Sequence, residues 1–101
     1  MKYVLVLQWP ASSISDFDAL IELEDRVVRA VGPAATVDGH DFGSGEVNIF
    51  VFTDDPRTTF AAAAAVLGQD SRGSDVRAAF RHRSGETYTV LWPLGHEFSI
   101  A

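Results

Sequence analysis

The chain contains no cysteine, one methionine and no apolar run near the roughly 18 residues that a membrane-spanning helix needs. The first absence excludes disulfides and thiolate chemistry. With only three histidines in 101 residues it also leaves a structural zinc site short of ligands. Basic side chains are scarce as well: eight Lys and Arg against fourteen Asp and Glu give a net charge of −6. That balance opposes sequence-independent attraction to nucleic acid or to an anionic membrane. The apolar opening YVLVL is too short for a secretory segment and no small-residue cleavage site follows it, so a cytoplasmic protein is the expectation. No phosphate loop, no G-x-S-x-G elbow and no nucleophile beside a base stands in the sequence, and nothing points to a cofactor or a metal.

The length suits one domain over residues 1–101. Residues 3–9, YVLVLQW, are nearly continuous in hydrophobicity and stop at Pro10, which predicts a strand in the middle of a sheet. Ser15 stands as an N-cap for a helix in which Phe17, Leu20, Ile21, Val27, Val28 and Val31 recur at helical spacing until Gly32-Pro33. Residues 34–41 and 46–52 form two strands of an antiparallel hairpin, joined through Phe42-Gly43-Ser44-Gly45 with Gly43 and Gly45 at positive φ. Asp54 or Asp55 caps a second helix that begins at Pro56, carries five alanines at 61–65 and closes at Gly68. Residues 76–82 and TYTVLWP make a second hairpin about Ser84-Gly85. The order βαββαβ with one added C-terminal strand predicts an α+β, ferredoxin-like sandwich, with an antiparallel sheet and both helices on one face.

Two helices on one face leave the other to water, a partner or a ligand. On the third strand Val47, Ile49 and Val51 suit the helices, which turns Asn48, Phe50 and Phe52 to the open side. Tyr3, Trp9, Tyr88 and Trp92 could join them there, since parity does not fix their side. A patch of several aromatics usually marks an interface or a pocket, and homodimerisation through this face is the first expectation, ahead of a cover by the C-terminal tail GHEFSI or a ligand cavity. Base stacking on exposed aromatics is disfavoured by Glu46, Asp54 and Asp55 beside GEVNIFVF. DGHD at 38–41 with Glu46 offers an imidazole among carboxylates, but in a strand His40 faces opposite to Asp41, and turn formation explains Asp38 and Asp41. Asn48, depleted in strand interiors and set between apolar neighbours, either holds a ligand or a partner's backbone or pins the Gly43–Gly45 turn. Charge is uneven too: residues 1–70 hold four basic against eleven acidic side chains, while residues 71–101 hold four against three.

The run DGHDFGSGEVNIFVFTDDP, with the early ELED and the late YTVLWP, resembles a set of small bacterial proteins of ferredoxin-like fold. The resemblance spans most of the chain and implies the fold, with no active site to carry over onto Asp38, His40, Ser44 or Asn48. A looser likeness is to the dimeric α+β barrel proteins, where two open sheets face each other and some members are small oxygenases or isomerases. The leading expectation is therefore a non-enzymatic interaction or regulatory module that buries its aromatic sheet face in a homodimer or against a protein partner. The competing one is a small-molecule-binding or cofactor-free catalytic site lined by Phe50, Phe52 and Trp92, with Asn48 and His40 supplying polarity.

Overall fold

The computed structural model describes residues 1–14, 16–43, 45–68, 75–95 and 98–100. Five strands and two main helices follow one another as β1 (Tyr3–Pro10), α1 (Phe17–Val31), β2 (Ala35–Gly43), β3 (Glu46–Thr53), α2 (Pro56–Leu67), β4 (Arg77–His82) and β5 (Thr89–Trp92). The sheet order is β2-β3-β1-β4-β5, every neighbouring pair is antiparallel, and both helices pack on one face. This is the expected ferredoxin-like arrangement with a fifth strand. Among the described residues no helix is long and apolar enough to cross a membrane.

The core lies between sheet and helices. Leu5, Leu7 and Trp9 from β1 and Val47, Ile49 and Val51 from β3 meet Leu20, Leu23, Val27 and Val31 of α1 and Ala63 and Leu67 of α2. Alternation along the central strands produces this face, and Ala63 is small enough to bring α2 close to β1. Asp16 caps α1 by accepting from the Ala19 N–H at 2.8 Å; the expected cap, Ser15, lies outside the described residues. At the start of α2, Asp55 rather than Asp54 is the cap, and Thr53 and Thr59 share a buried 2.7 Å hydroxyl bond that ties the helix to the end of β3.

The helical spacing of α1 overstated its buried stripe. Leu20, Leu23, Val27 and Val31 are buried, whereas Phe17, Ile21 and Val28 are 59%, 40% and 45% exposed. Their angular offset turns them past the core, toward the outer edge of β2. That strand extends to Gly43, so Phe42 and Gly43 belong to it rather than to the turn. Gly45 of the turn pair has the expected positive φ, at 81°. Another glycine with positive φ, Gly39 at 133°, sits where the register shifts from Val37 opposite Val51 to Gly39 opposite Phe50, leaving Asp38 as the bulged residue.

Two measurements check these assignments. Urea denaturation of Trp9→Ala should show a loss of about 3–5 kcal/mol, since Trp9 is fully buried, while Phe17→Ala should stay within about 0.5 kcal/mol of the parent. The Thr58 hydroxyl and then the Thr58 N–H donate to the Asp55 carboxylate and hold its pKa below the ordinary 3.8. A depressed folded-state pKa contributes stability that is present above the unfolded value and is lost as pH falls through the folded one. Asp55→Ala should therefore be less stable than the parent above about pH 4, with the gap closing at lower pH.

Candidate functional site

On the face without helices, the strand registers align four polar residues in one row across the sheet. Asp41 of β2 stands opposite Asn48 of β3, Asn48 opposite Gln8 of β1, and Gln8 opposite Arg77 of β4. The two amides are buried, Asn48 at 0% exposure and Gln8 at 4%, while Asp41 and Arg77 at the ends are exposed. Gln8 Nε2 donates to Asn48 Oδ1 and to the Ser99 carbonyl, each at 3.0 Å. Asn48 Nδ2 is buried and has no hydrogen-bond partner. A polar hydrogen left unmatched in this way carries a desolvation cost of about 1–3 kcal/mol. Next to the row, Gln8, Trp9, Pro10, Gly45, Glu46 and Arg77 line a cavity of about 210 Å³.

The aromatics of this face are half-buried rather than open. The Arg83 guanidinium lies 4.4 Å from the Phe52 ring, the Arg81 guanidinium 5.9 Å from the Tyr88 ring, and Tyr88 packs on Phe98 at 5.0 Å. Residues Phe98–Ile100 thus lie across the open face, held by Phe98 on Tyr88 and by the Ser99 carbonyl on Gln8. Phe50 and Phe52 share this side with Asn48. Trp92 does not: its register partner is Ala78, on the helix side, where it borders an apolar groove of about 230 Å³ with Phe60, Ala64, Leu67, Gly68 and Val76. Tyr3 and Trp9 also face the helix side, Tyr3 against Phe80 and Trp9 in the core.

His40 is on the helix side as well, and the bulge puts it there. Ahead of the bulge Ala35 and Val37 face the helices; beyond it the parity shifts and His40 and Phe42 do. His40 Nδ1 meets Glu24 Oε2 of α1 at 3.0 Å, both side chains being largely buried, and the ring packs edge-on against Phe17 at 5.7 Å. A carboxylate on Nδ1 orients an imidazole as an acid–base residue requires. No hydroxyl or amine stands at its other nitrogen among the described residues, and no three His, Asp or Glu side chains there are placed to hold a metal. The pair's demonstrable work is mechanical: it fastens α1 to the sheet edge.

Around that fastening lie Phe17, Ile21 and Val28 on α1 and Phe42 on β2, four of the seven large hydrophobic residues exposed among the described residues. Sequence reasoning placed the first three in the core and the fourth in a turn. It also missed Glu24 and Gln8 as the partners of His40 and Asn48; Gln8 is the single polar residue within YVLVLQW, which was the available signal. Asn48 does not pin the Gly43–Gly45 turn by its Oδ1, which accepts from Gln8. Comparison with family models, curated proteins and solved structures gives no match.

If the Gln8 amide holds the tail, Gln8→Leu should accelerate removal of the last residues by carboxypeptidase and cost about 1–3 kcal/mol in urea, because Asn48 Oδ1 loses its donor too. An unchanged trimming rate would detach the tail from this bond.

Proposed function

We propose that the protein is a non-enzymatic interaction module, and that its docking surface is the α1–β2 flank rather than the open sheet face. The observation that carries this reading is the run of exposed Phe17, Ile21, Val28 and Phe42 along one side, next to β2, the edge strand of the sheet among the described residues. Apolar residues this large, gathered on one side of a small domain, are characteristic of a contact surface. The aromatics of the open face are less available, being already in contact with Arg81, Arg83 and the tail.

The partner is cationic. Residues 16–43 carry seven acidic side chains against Arg26 and Arg29, and those two arginines are already paired with Glu22 and Asp25 on the same helix. A second copy docked flank to flank would bring two such acidic surfaces together, and like charges across an interface are costly. The bulge at Asp38, with Asp41 beyond it, also discourages β2 from pairing with its own image. A basic segment with two or three apolar anchors satisfies both the apolar stripe and its acidic rim.

A photo-crosslinking residue at position 17, introduced in the native host, tests this directly. The expected adduct is a different protein joined through a Lys- or Arg-rich segment. Its affinity for the purified chain should fall about tenfold in Phe17→Ala and in Ile21→Ala and should weaken as salt is raised. An adduct between two copies of this chain, or one obtained from position 52 and never from position 17, would refute the assignment.

A further inference from the structure

We infer that the chain self-associates into a two-fold dimer through its α2–β5 side, with Leu94 of each copy seated in the apolar groove of the other. This surface borders β5, at the opposite edge of the sheet from the α1–β2 flank, so the inference stands whether or not the flank docks a cationic partner.

The groove calls for an apolar cover. Phe60, Ala64, Leu67, Gly68, Val76 and Trp92 line a space of about 230 Å³ without one polar side chain, and Trp92 at its rim is 50% exposed. Helix α2 gives the same indication. From Phe60 to Leu67 it has no polar side chain on any face, yet Ala61 and Ala65 stand exposed. A helix apolar all round belongs in an interior. The segment that follows α2, residues 69–74, reads QDSRGS and offers no apolar side chain for the purpose, while Phe98–Ile100 lie on the other face of the sheet.

Shape and charge make a second copy the occupant. Leu94, at 76% the most exposed large hydrophobic residue among the described residues, follows Trp92 by two positions, a reach of about 7 Å. A projection and a hollow this close together are what a two-fold axis pairs, each copy giving one and receiving the other. With a net charge of −6, two copies repel over most of their surface. Residues 56–68 and 87–95, however, hold a single charged side chain, Arg57, whose guanidinium lies 5.5 Å from the Phe80 ring. Two copies therefore meet here without the like-charge cost they would bear at the flank. The contact runs through side chains rather than strand pairing, because Leu91 breaks the register of β5 and Pro93, just after the strand, has no N–H to donate. Helix α2 has twelve residues and is about 18 Å long, so a contact about two helix diameters across covers roughly 400 Å². That is about half of the roughly 800 Å² a side of a standard interface, which sets the expected dissociation constant in the micromolar range.

The test is sedimentation equilibrium of the full chain from micromolar to millimolar concentration, with the tryptophan emission of the same samples. The mass should rise from 11.0 kDa toward twice that value. Trp9 is already fully buried, so a blue shift that accompanies the rise reports the covering of Trp92. Leu94→Asp and Ala61→Glu, both at exposed positions, should fold as the parent does and each weaken the dimer about tenfold or more. Phe17→Asp should leave it unchanged, and added salt should not dissociate it. A chain that stays at 11.0 kDa throughout overturns the inference, and a blue shift of that monomer on saturation with toluene would give the groove to a small apolar molecule instead. So does a dimer that survives both substitutions, that dissociates in Phe17→Asp, or that forms with no change in tryptophan emission.

Discussion

Two helices cover one side of a five-stranded sheet, and the central strand is apolar on both sides. On the side without helices, Val4, Val6 and Ala79 are nonetheless buried, Val6 and Ala79 completely. Burying that side is the constraint from which the rest of the architecture follows. The chain meets it with its own parts: arginine guanidinium groups laid over Phe52 and Tyr88, and the segment Phe98–Ile100 drawn across the strands. Arginine serves well here because its planar guanidinium rests on an aromatic face while its N–H groups still donate, as Arg81 does to the His82, Arg83 and Gly85 carbonyls. Gln8 joins these devices, since one amide nitrogen serves both the strand-to-strand pair with Asn48 and the seat of the tail.

Covering the open face in this way shifts the available apolar surface elsewhere. Helix α1 sits with Leu20, Leu23, Val27 and Val31 inward, so residues one step round the helix must go either toward α2 or out over the edge of β2. Ile21 and Val28 go out, and Phe17 joins them at the N-terminal turn. The bulge at Asp38 completes the geometry by turning His40 under Glu24 and Phe42 onto the same side as the stripe. One extra residue in one strand thus decides whether an imidazole faces the helices or the empty side of the sheet. The same bulge kinks the edge strand and so protects it from pairing with other strands.

Much of this was legible in the sequence. The alternation of Val47, Ile49 and Val51 against Asn48, Phe50 and Phe52 placed both faces of β3 correctly, and the proline and glycine punctuation located both hairpins and both helices. What escaped was everything that depends on register or on a fraction of a helical turn. The partnership of Gln8 with Asn48 links residues forty positions apart and exists only once β1 and β3 are aligned. Helical periodicity cannot separate Leu20 from Ile21 without knowing how the helix is rotated on the sheet, and a bulge has no signal beyond an Asp-Gly pair that reads equally well as a turn. The tail's path was open in the sequence because hydrophobicity alone does not say which face GHEFSI crosses.

The polar row is harder to explain as packing than any other feature of the fold. A pair of aliphatic side chains at positions 8 and 48 would fill the same space between Val6 and the tail, with no donor left unmatched. A domain of this size is stable by only about 5–15 kcal/mol, so a buried, half-satisfied amide costing about 1–3 kcal/mol is a large fraction of the whole. Fixing the register is one use for such a pair, but Gln8 Nε2 with Asn48 Oδ1 achieves that without requiring the second half of the Asn48 amide. The unmatched Asn48 hydrogens are therefore the part of the row that neither packing nor register explains.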